Sequence, residues 1–255
     1  MSAREEETLA WTVEEACLNA WPSPRQRLVG GYLLRSSGGP SRRPNSVNPL
    51  RGPRDEPEAV IAACEAAYAE RGRPALFRVP EIAPDLDAPL ERRGYAAFGR
   101  SLTLLADLAA LDAASDPDVV LAPSPDADWL AARAALNAAD AETSRVYDEM
   151  IRTILCPKAF AAIRRDGAVV AMAYAVLDRS LVVIESVGTL EAARGRGLAR
   201  RVAAALLRWG RAHGARAACL QVVADNAPAR RLYAGLGFDR ALFAYHYRAR
   251  ASDHA

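Results

Sequence analysis

Between Arg194 and Ala199 the chain reads Arg-Gly-Arg-Gly-Leu-Ala. An apolar, β-branched stretch, Leu181–Thr189, precedes it. An amphipathic pattern follows, in which Leu198, Val202, Leu206 and Trp209 share one helical face. A glycine-rich turn from a strand into a helix aims several backbone N–H groups at one point, beside the positive end of the helix dipole. Such a point holds an anion and suits a pyrophosphate, and the two glycines let its oxygens approach without a Cβ in the way. The turn lacks the Gly-Lys-Ser/Thr ending of a nucleotide P-loop and departs from the dinucleotide fingerprint. Downstream, Arg216–Ala224 reads as a second strand. Asp225-Asn226-Ala227-Pro228 then leads into a short helix, Ala229–Leu236, closed by Gly237-Phe238, and a last strand follows near Leu242–Tyr247.

On these residues the chain resembles the GNAT superfamily of acetyl-CoA-dependent N-acetyltransferases. The central motif, Arg/Gln-x-x-Gly-x-Gly/Ala, is met by Arg194, Gly197 and Ala199. The later Asn…Tyr…Gly-Phe pattern is met by Asn226, Tyr233, Gly237 and Phe238. The match covers about Val119 to Arg248, roughly half the chain. The resemblance implies an α/β fold, a mixed sheet with flanking helices, and acetyl-CoA as co-substrate without a metal. It places Val187, Gly188 and Thr189 along the pantetheine, with an N–H for the acetyl oxygen. Arg194 and the run Gly195, Arg196, Gly197, Leu198, Ala199 and Arg200 would hold the pyrophosphate, and Asn226 the pantetheine arm. Thr189 replaces the usual aliphatic residue and Glu191 the usual proline, departures that bear on the fine geometry of the turn.

Acetyl transfer sets its own requirements. An attacking primary amine, protonated at neutral pH with a reference pKa of about 10.4, must lose a proton. The oxyanion needs a donor, and the leaving thiolate benefits from a proton. Glu185 is the candidate base. It lies in the apolar strand that runs into the turn, where partial desolvation would make it a better proton acceptor. It also resembles the base-assigned glutamate that some family members, polyamine acetylases among them, place nine positions before the motif arginine. Its alternative is an exposed or ion-paired strand residue. Tyr233 is the candidate acid, by resemblance beside the coenzyme sulfur, against an ordinary half-buried tyrosine. Asn226 could equally cap the helix that starts at Pro228. No cysteine lies in either motif, so direct attack in a ternary complex is expected.

The first hundred residues suggest strands at Tyr32–Arg35 and Ser46–Leu50 around a Ser/Gly/Pro loop. A helix follows at Pro57–Arg71 with Val60, Ile61, Cys64 and Tyr68 on one side, then a strand at Ala75–Val79, a short helix at Leu86–Arg93 and a strand at Phe98–Leu105. This order repeats that of the second half, and Leu90 to Tyr95 echoes the spacing of Tyr233 to Phe238. Leu90 stands where the second copy has its phenol, and no phosphate turn precedes Pro57. The expectation is therefore tandem-like: a truncated, degenerate GNAT unit over 1–112, structural or substrate-shaping, and a catalytic unit over 117–255, joined near Ala109–Pro117.

Composition fits a soluble enzyme. The 255 residues can bury a sizeable core, and no apolar run approaches the roughly 20 residues that span a bilayer. The charged amino terminus lacks a signal-peptide core. Cys17, Cys64, Cys156 and Cys219 show no metal spacing and fit a reduced cytoplasm. Net charge is only +2, with arginines dispersed among acids, so no polyanion-binding surface is implied; Arg42-Arg43, Arg92-Arg93 and Arg200-Arg201 read as solvated faces. Helices are expected at Asp128–Ala138 and at Tyr147–Leu155, the latter with Met150, Ile151 and Leu155 inward, and the resemblance implies that this pair walls the acceptor pocket. There Asp140, Glu142, Asp148 and Glu149 could draw in a cationic amine. His246 is expected to be structural, and His213 to sit at a helix end. The expected partner is a small-molecule amine, with neither nucleic acid nor membrane, and a homodimer is left open. Two alternatives are a non-catalytic acetyl-CoA-binding regulator and an acetyltransferase of peptide or protein amines.

Overall fold

The computed structural model describes residues 2–109 and 115–250. The boundary expected at residue 112, and most of the expected linker, lie outside them. The amino-terminal half runs α1 (Ala3–Ala20), β1 (Gln26–Val29), β2 (Tyr32–Arg35), β3 (Val47–Pro49), α2 (Pro57–Ala69), β4 (Phe77–Pro80), α3 (Asp87–Arg92) and β5 (Tyr95–Asp107). The second half runs β6 (Val119–Ala122), α4 (Ala127–Leu136), α5 (Ala141–Arg152), β7 (Lys158–Arg165), β8 (Ala168–Asp178), β9 (Leu181–Thr189), α6 (Leu198–Ala212), β10 (Ala217–Val223), α7 (Ala227–Ala234) and β11 (Arg240–Arg250).

All strands join one mixed sheet in the order β1-β2-β3-β4-β11-β5-β10-β9-β8-β7-β6. The two halves exchange their last strands. β5 pairs antiparallel with β10, from Asp107 opposite Ala217 to Ser101 opposite Val223. β11 in turn pairs with β4, from Tyr245 opposite Pro80 to Arg248 opposite Phe77. The echo between the halves has a backbone counterpart. Gly94 ends α3 at φ +80° and Gly237 follows α7 at φ +90°, a region where only glycine rests without strain. Leu90, in the place of Tyr233, is fully buried among α2, α3 and their strands.

Helices cover both faces of the second half. α6 lays Leu198, Val202, Leu206 and Leu207 on one face, against Val182, Ile184 and Leu220. It comes so close at Gly210 that a Cβ there would stand 2.7 Å from the Val182 Cβ. α4 and α5 cover the other face together with α1, which the expected elements did not include. Its start carries a capping box: Ser2 Oγ accepts from Glu5 N–H while Glu5 accepts from Ser2 N–H. Its inner side pairs Glu14 with Arg78, both fully buried. At its end the Ala20 carbonyl accepts from the Tyr174 hydroxyl at 2.9 Å.

Two expectations about α5 and its end are corrected. The helix begins at Ala141, capped by Asp140, rather than at Tyr147, and it stops at Arg152. Leu155, expected to face inward, lies beyond that stop and is 97 % exposed.

Candidate active site

β9 and β10 run parallel but pair only from Leu181 opposite Ala217 to Val183 opposite Cys219. Beyond that point each keeps its outer neighbour, β8 or β5, and the two strands part. The result is a cleft of about 1070 Å³ lined by residues 184–189 of β9, 221–223 of β10, the turn into α6, and α7. A bulge shapes the β9 wall. Ser186 and Val187 stand opposite the single residue Ala173, and Ser186 adopts φ +52°. Bulged residues leave the ladder, so their backbone groups become free for a ligand in the cleft.

At one end of the cleft lies the glycine turn. Gly195 and Gly197 have φ +75° and +71°, and a Cβ on either would meet nothing within 4 Å, so main chain borders open space. Gly197 caps α6 without a side-chain hydrogen bond, which leaves the first-turn N–H groups unclaimed. Glu191, where a proline was expected, does not spoil the turn. Residues Glu191–Ala193 form one 3-10 turn, with Ala193 N–H on the Leu190 carbonyl and Arg194 N–H on the Glu191 carbonyl. Of the residues expected to hold a coenzyme, all but Arg196 line the cleft; Arg196 is exposed. Asn226 does cap α7, through Oδ1 on Ala229 N–H, while also lining the cleft.

Tyr233 is positioned by the Gly-Phe pair that follows it. Gly237 turns the chain back so that Phe238 N–H bonds the Tyr233 carbonyl at 3.0 Å and its ring meets the Tyr233 ring edge-on at 6.0 Å. Burial, and then the Glu185 carboxylate, push the phenol up to about 12, so it keeps its proton at neutral pH.

Glu185 lies in the cleft, 5 % exposed, and it is ion-paired. Arg43 Nη1 and Nη2 donate to its two oxygens at 2.6 and 2.7 Å, a bidentate fork. Arg43 comes from the amino-terminal half and rides over the Trp21 ring at 4.3 Å. The loop that presents it is knitted by Asn45. Its Nδ2 donates to Ser37 Oγ, Gly39 O and Ser41 O, and its Oδ1 accepts from Ser37 N–H. Beyond Trp21, its edge-on neighbour Tyr147 bonds Ser186 Oγ at 2.8 Å and carries Arg133 at 3.6 Å over its ring.

Comparison with known proteins now decides the family. The family model described as "Probable histone acetyltransferase Rv0428c C-terminal" matches residues 11–251. The chain belongs to this family of GNAT acetyltransferases. It is similar to the uncharacterized N-acetyltransferase YobR of Bacillus subtilis (strain 168), 23% identical over 92% of this chain and 96% of that one. Among solved structures, a GCN5-related N-acetyltransferase from Kribbella flavida shares the fold at TM-score 0.66 and 22% identity, over 98% and 96% of the two chains. A tandem GNAT protein from the clavulanic acid biosynthesis pathway does so at TM-score 0.67 and 16% identity, over 97% and 96%. The tandem-like GNAT architecture and the acyltransferase class are thereby established.

Sequence reasoning missed this GNAT's Trp21, Arg43 and Arg133. Arg43 belongs to a pair expected to be solvated; the pair instead splits, with Arg42 exposed over Phe98 and Tyr247 and Arg43 turned onto Glu185. The acids expected to attract a cationic acceptor are engaged elsewhere: Asp140 as a cap, Glu142 and Glu149 with Arg145, Asp148 with Arg152. His246 is structural, its Nε2 on Asp87 at 2.8 Å, and His213 closes α6 with Nδ1 on the Trp209 carbonyl. Among the described residues, no group of three or more His, Cys, Asp and Glu could hold a metal, and no helix is long and apolar enough to cross a membrane.

Proposed function

We propose that this GNAT moves the acetyl group of acetyl-CoA to the primary amine of a small molecule, by direct attack in a ternary complex. The diphosphate rests on the main chain of Gly195–Arg200, and the pantetheine follows the parted β9 and β10 past Asn226. The amine nitrogen attacks the thioester carbonyl carbon, a C–N bond forms and the C–S bond breaks. Glu185 takes one proton from the acceptor ammonium before attack, through lone pairs that Arg43 leaves free; Tyr233 gives its proton to the departing thiolate and is restored by the proton that the new amide nitrogen loses. The observation that carries this reading is the juxtaposition in one cleft of the bare glycine turn, the bulge, Glu185 and a protonated Tyr233. Residues 117–255 hold this machinery in our reading, and residues 1–112 shape the acceptor end through Trp21 and Arg43.

One observation favours a second reading: the matching family is described as a probable histone acetyltransferase, which points to a protein amine. Against it stands the walling of the acceptor end by Trp21, Arg43, Arg133, Leu136 and Asn137. An acceptor screen that follows free coenzyme A, with mass spectrometry of products, tests both. Turnover of small amines supports the first reading; turnover of histone peptides alone replaces it.

A further inference from the structure

Resting on that reading, we propose that the acceptor amine carries an oxyanion, a carboxylate or phosphoryl group, and that Arg133 receives it. Arg133 is 7 % exposed and lines the cleft from α4. Two other buried arginines face carboxylates, Arg78 on Glu14 and Arg248 on Asp87, and a third, Arg35, donates to the Leu18 and Trp21 carbonyls. Arg133 meets no carboxylate among the described residues. Its guanidinium stacks on Tyr147, and among the described residues its Nη1 has no hydrogen-bond partner. Burial pushes this guanidinium down, and the groups that oppose the shift are the phenols of Tyr147 and Tyr174 rather than an acid.

A second orphan lies in the same wall. Trp21 also lines the cleft, and its buried Nε1–H has no acceptor among the described residues. Indole N–H and guanidinium N–H can only donate, so what satisfies both must be rich in acceptors. Buried donors are expensive to leave unmade, and a planar guanidinium fork matches carboxylate or phosphoryl oxygens. The charge balance agrees. Glu185 neutralises Arg43, so Arg133 leaves this end of the cleft with surplus positive charge. A second ammonium on the acceptor would be repelled there, whereas an anionic tail would be held and its amine turned toward Glu185.

The test uses unbranched ω-amino carboxylates of increasing length, each beside its carboxamide, its phosphonate counterpart and the matching diamine. Turnover is read as free coenzyme A, and binding as thermal protection in the presence of coenzyme A. In the parent, the best anionic amine should exceed its carboxamide in kcat/KM by about ten- to hundredfold, the range of a charged hydrogen bond. Arg133→Gln should use the two alike through a raised KM, and Arg133→Lys should restore part of the preference. The phosphonates tell which oxyanion fits. Equal use of anionic and neutral amines by the parent overturns the inference while leaving acetyl transfer intact, and so does a preference that survives in Arg133→Gln. If no amine turns over, the proposed function falls, and anion-dependent protection lost in Arg133→Gln still decides the inference. Should Arg133→Gln fail to fold, the parent's own panel is sufficient.

Discussion

Replacing Arg43 with Met tests whether the amino-terminal half holds the Glu185 carboxylate in the cleft. The substitution keeps much of the side-chain volume over Trp21 but strands Glu185, 5 % exposed, without the guanidinium that meets both its oxygens. Breaking a buried ion pair from one side costs about 3–5 kcal/mol. Arg43 is itself 21% exposed and the cleft is open to water, so the lower figure, about 3 kcal/mol, applies. With a urea slope of about 3 kcal/mol/M for a chain this size, the unfolding midpoint should drop by about 1 M. Glu185→Gln should cost less, about 1 kcal/mol, because the freed Arg43 can turn toward solvent. The double variant should then be about 2 kcal/mol more stable than the sum of the two losses implies. Urea melts of the four proteins provide the cycle, and coenzyme A release by Arg43→Met, expected to fall with Glu185 no longer held, provides the functional arm. Additivity within about 0.5 kcal/mol would refute the coupling and leave the ion pair a bystander.

Tyr233→Phe should lower kcat by about a hundredfold with little change in KM for acetyl-CoA, read from initial rates of thiol release. Because the folded-state pKa of Tyr233 is raised from 10.0 to about 12, its acid form persists above the ordinary tyrosine range, and the parent should show no alkaline loss there from this group. Gly197→Ala forces a φ of +71° on a residue with a Cβ and puts that methyl over the turn; KM for acetyl-CoA should rise about tenfold with the fold retained by circular dichroism. Gly210→Ala drives a methyl into Val182 and should cost about 1–3 kcal/mol in a urea melt, with KM unchanged for whatever protein remains folded. Burial raises the Asp87 carboxyl, but hydrogen bonds from Arg248 and His246 outweigh it and hold the group below its ordinary value. Its contribution is therefore present above that ordinary value and lost on acidification. The stability gap between parent and Asp87→Asn should narrow as pH falls below about 4.

What the sequence showed plainly was local. β9 spans Leu181–Thr189 as expected, and α6 begins at the turn, because alternation, helical period and paired glycines are written in adjacent residues. The glycine turn and the Tyr233-to-Phe238 closure were legible for the same reason. The other half of the site was not. Arg43 meets Glu185 across 142 positions, and nothing in Arg42-Arg43 says which of the two turns inward. Nothing in the sequence singles out Arg133, since its burial depends on Tyr147 from the next helix. The signal for α1 was present, in Ser2 and Glu5 at capping-box spacing. The exchange of β5 and β11 had no signature, because strand order is fixed by packing rather than by composition.

That exchange has a consequence for biosynthesis. The gap between β4 and β5 is filled by residues 240–250, which are made after every other strand of the sheet. The first half must therefore wait, with two strand edges bare, until β11 has been made. Cleavage anywhere between the halves, or loss of the final strand, would leave both pieces with sticky, unfinished borders rather than two smaller enzymes.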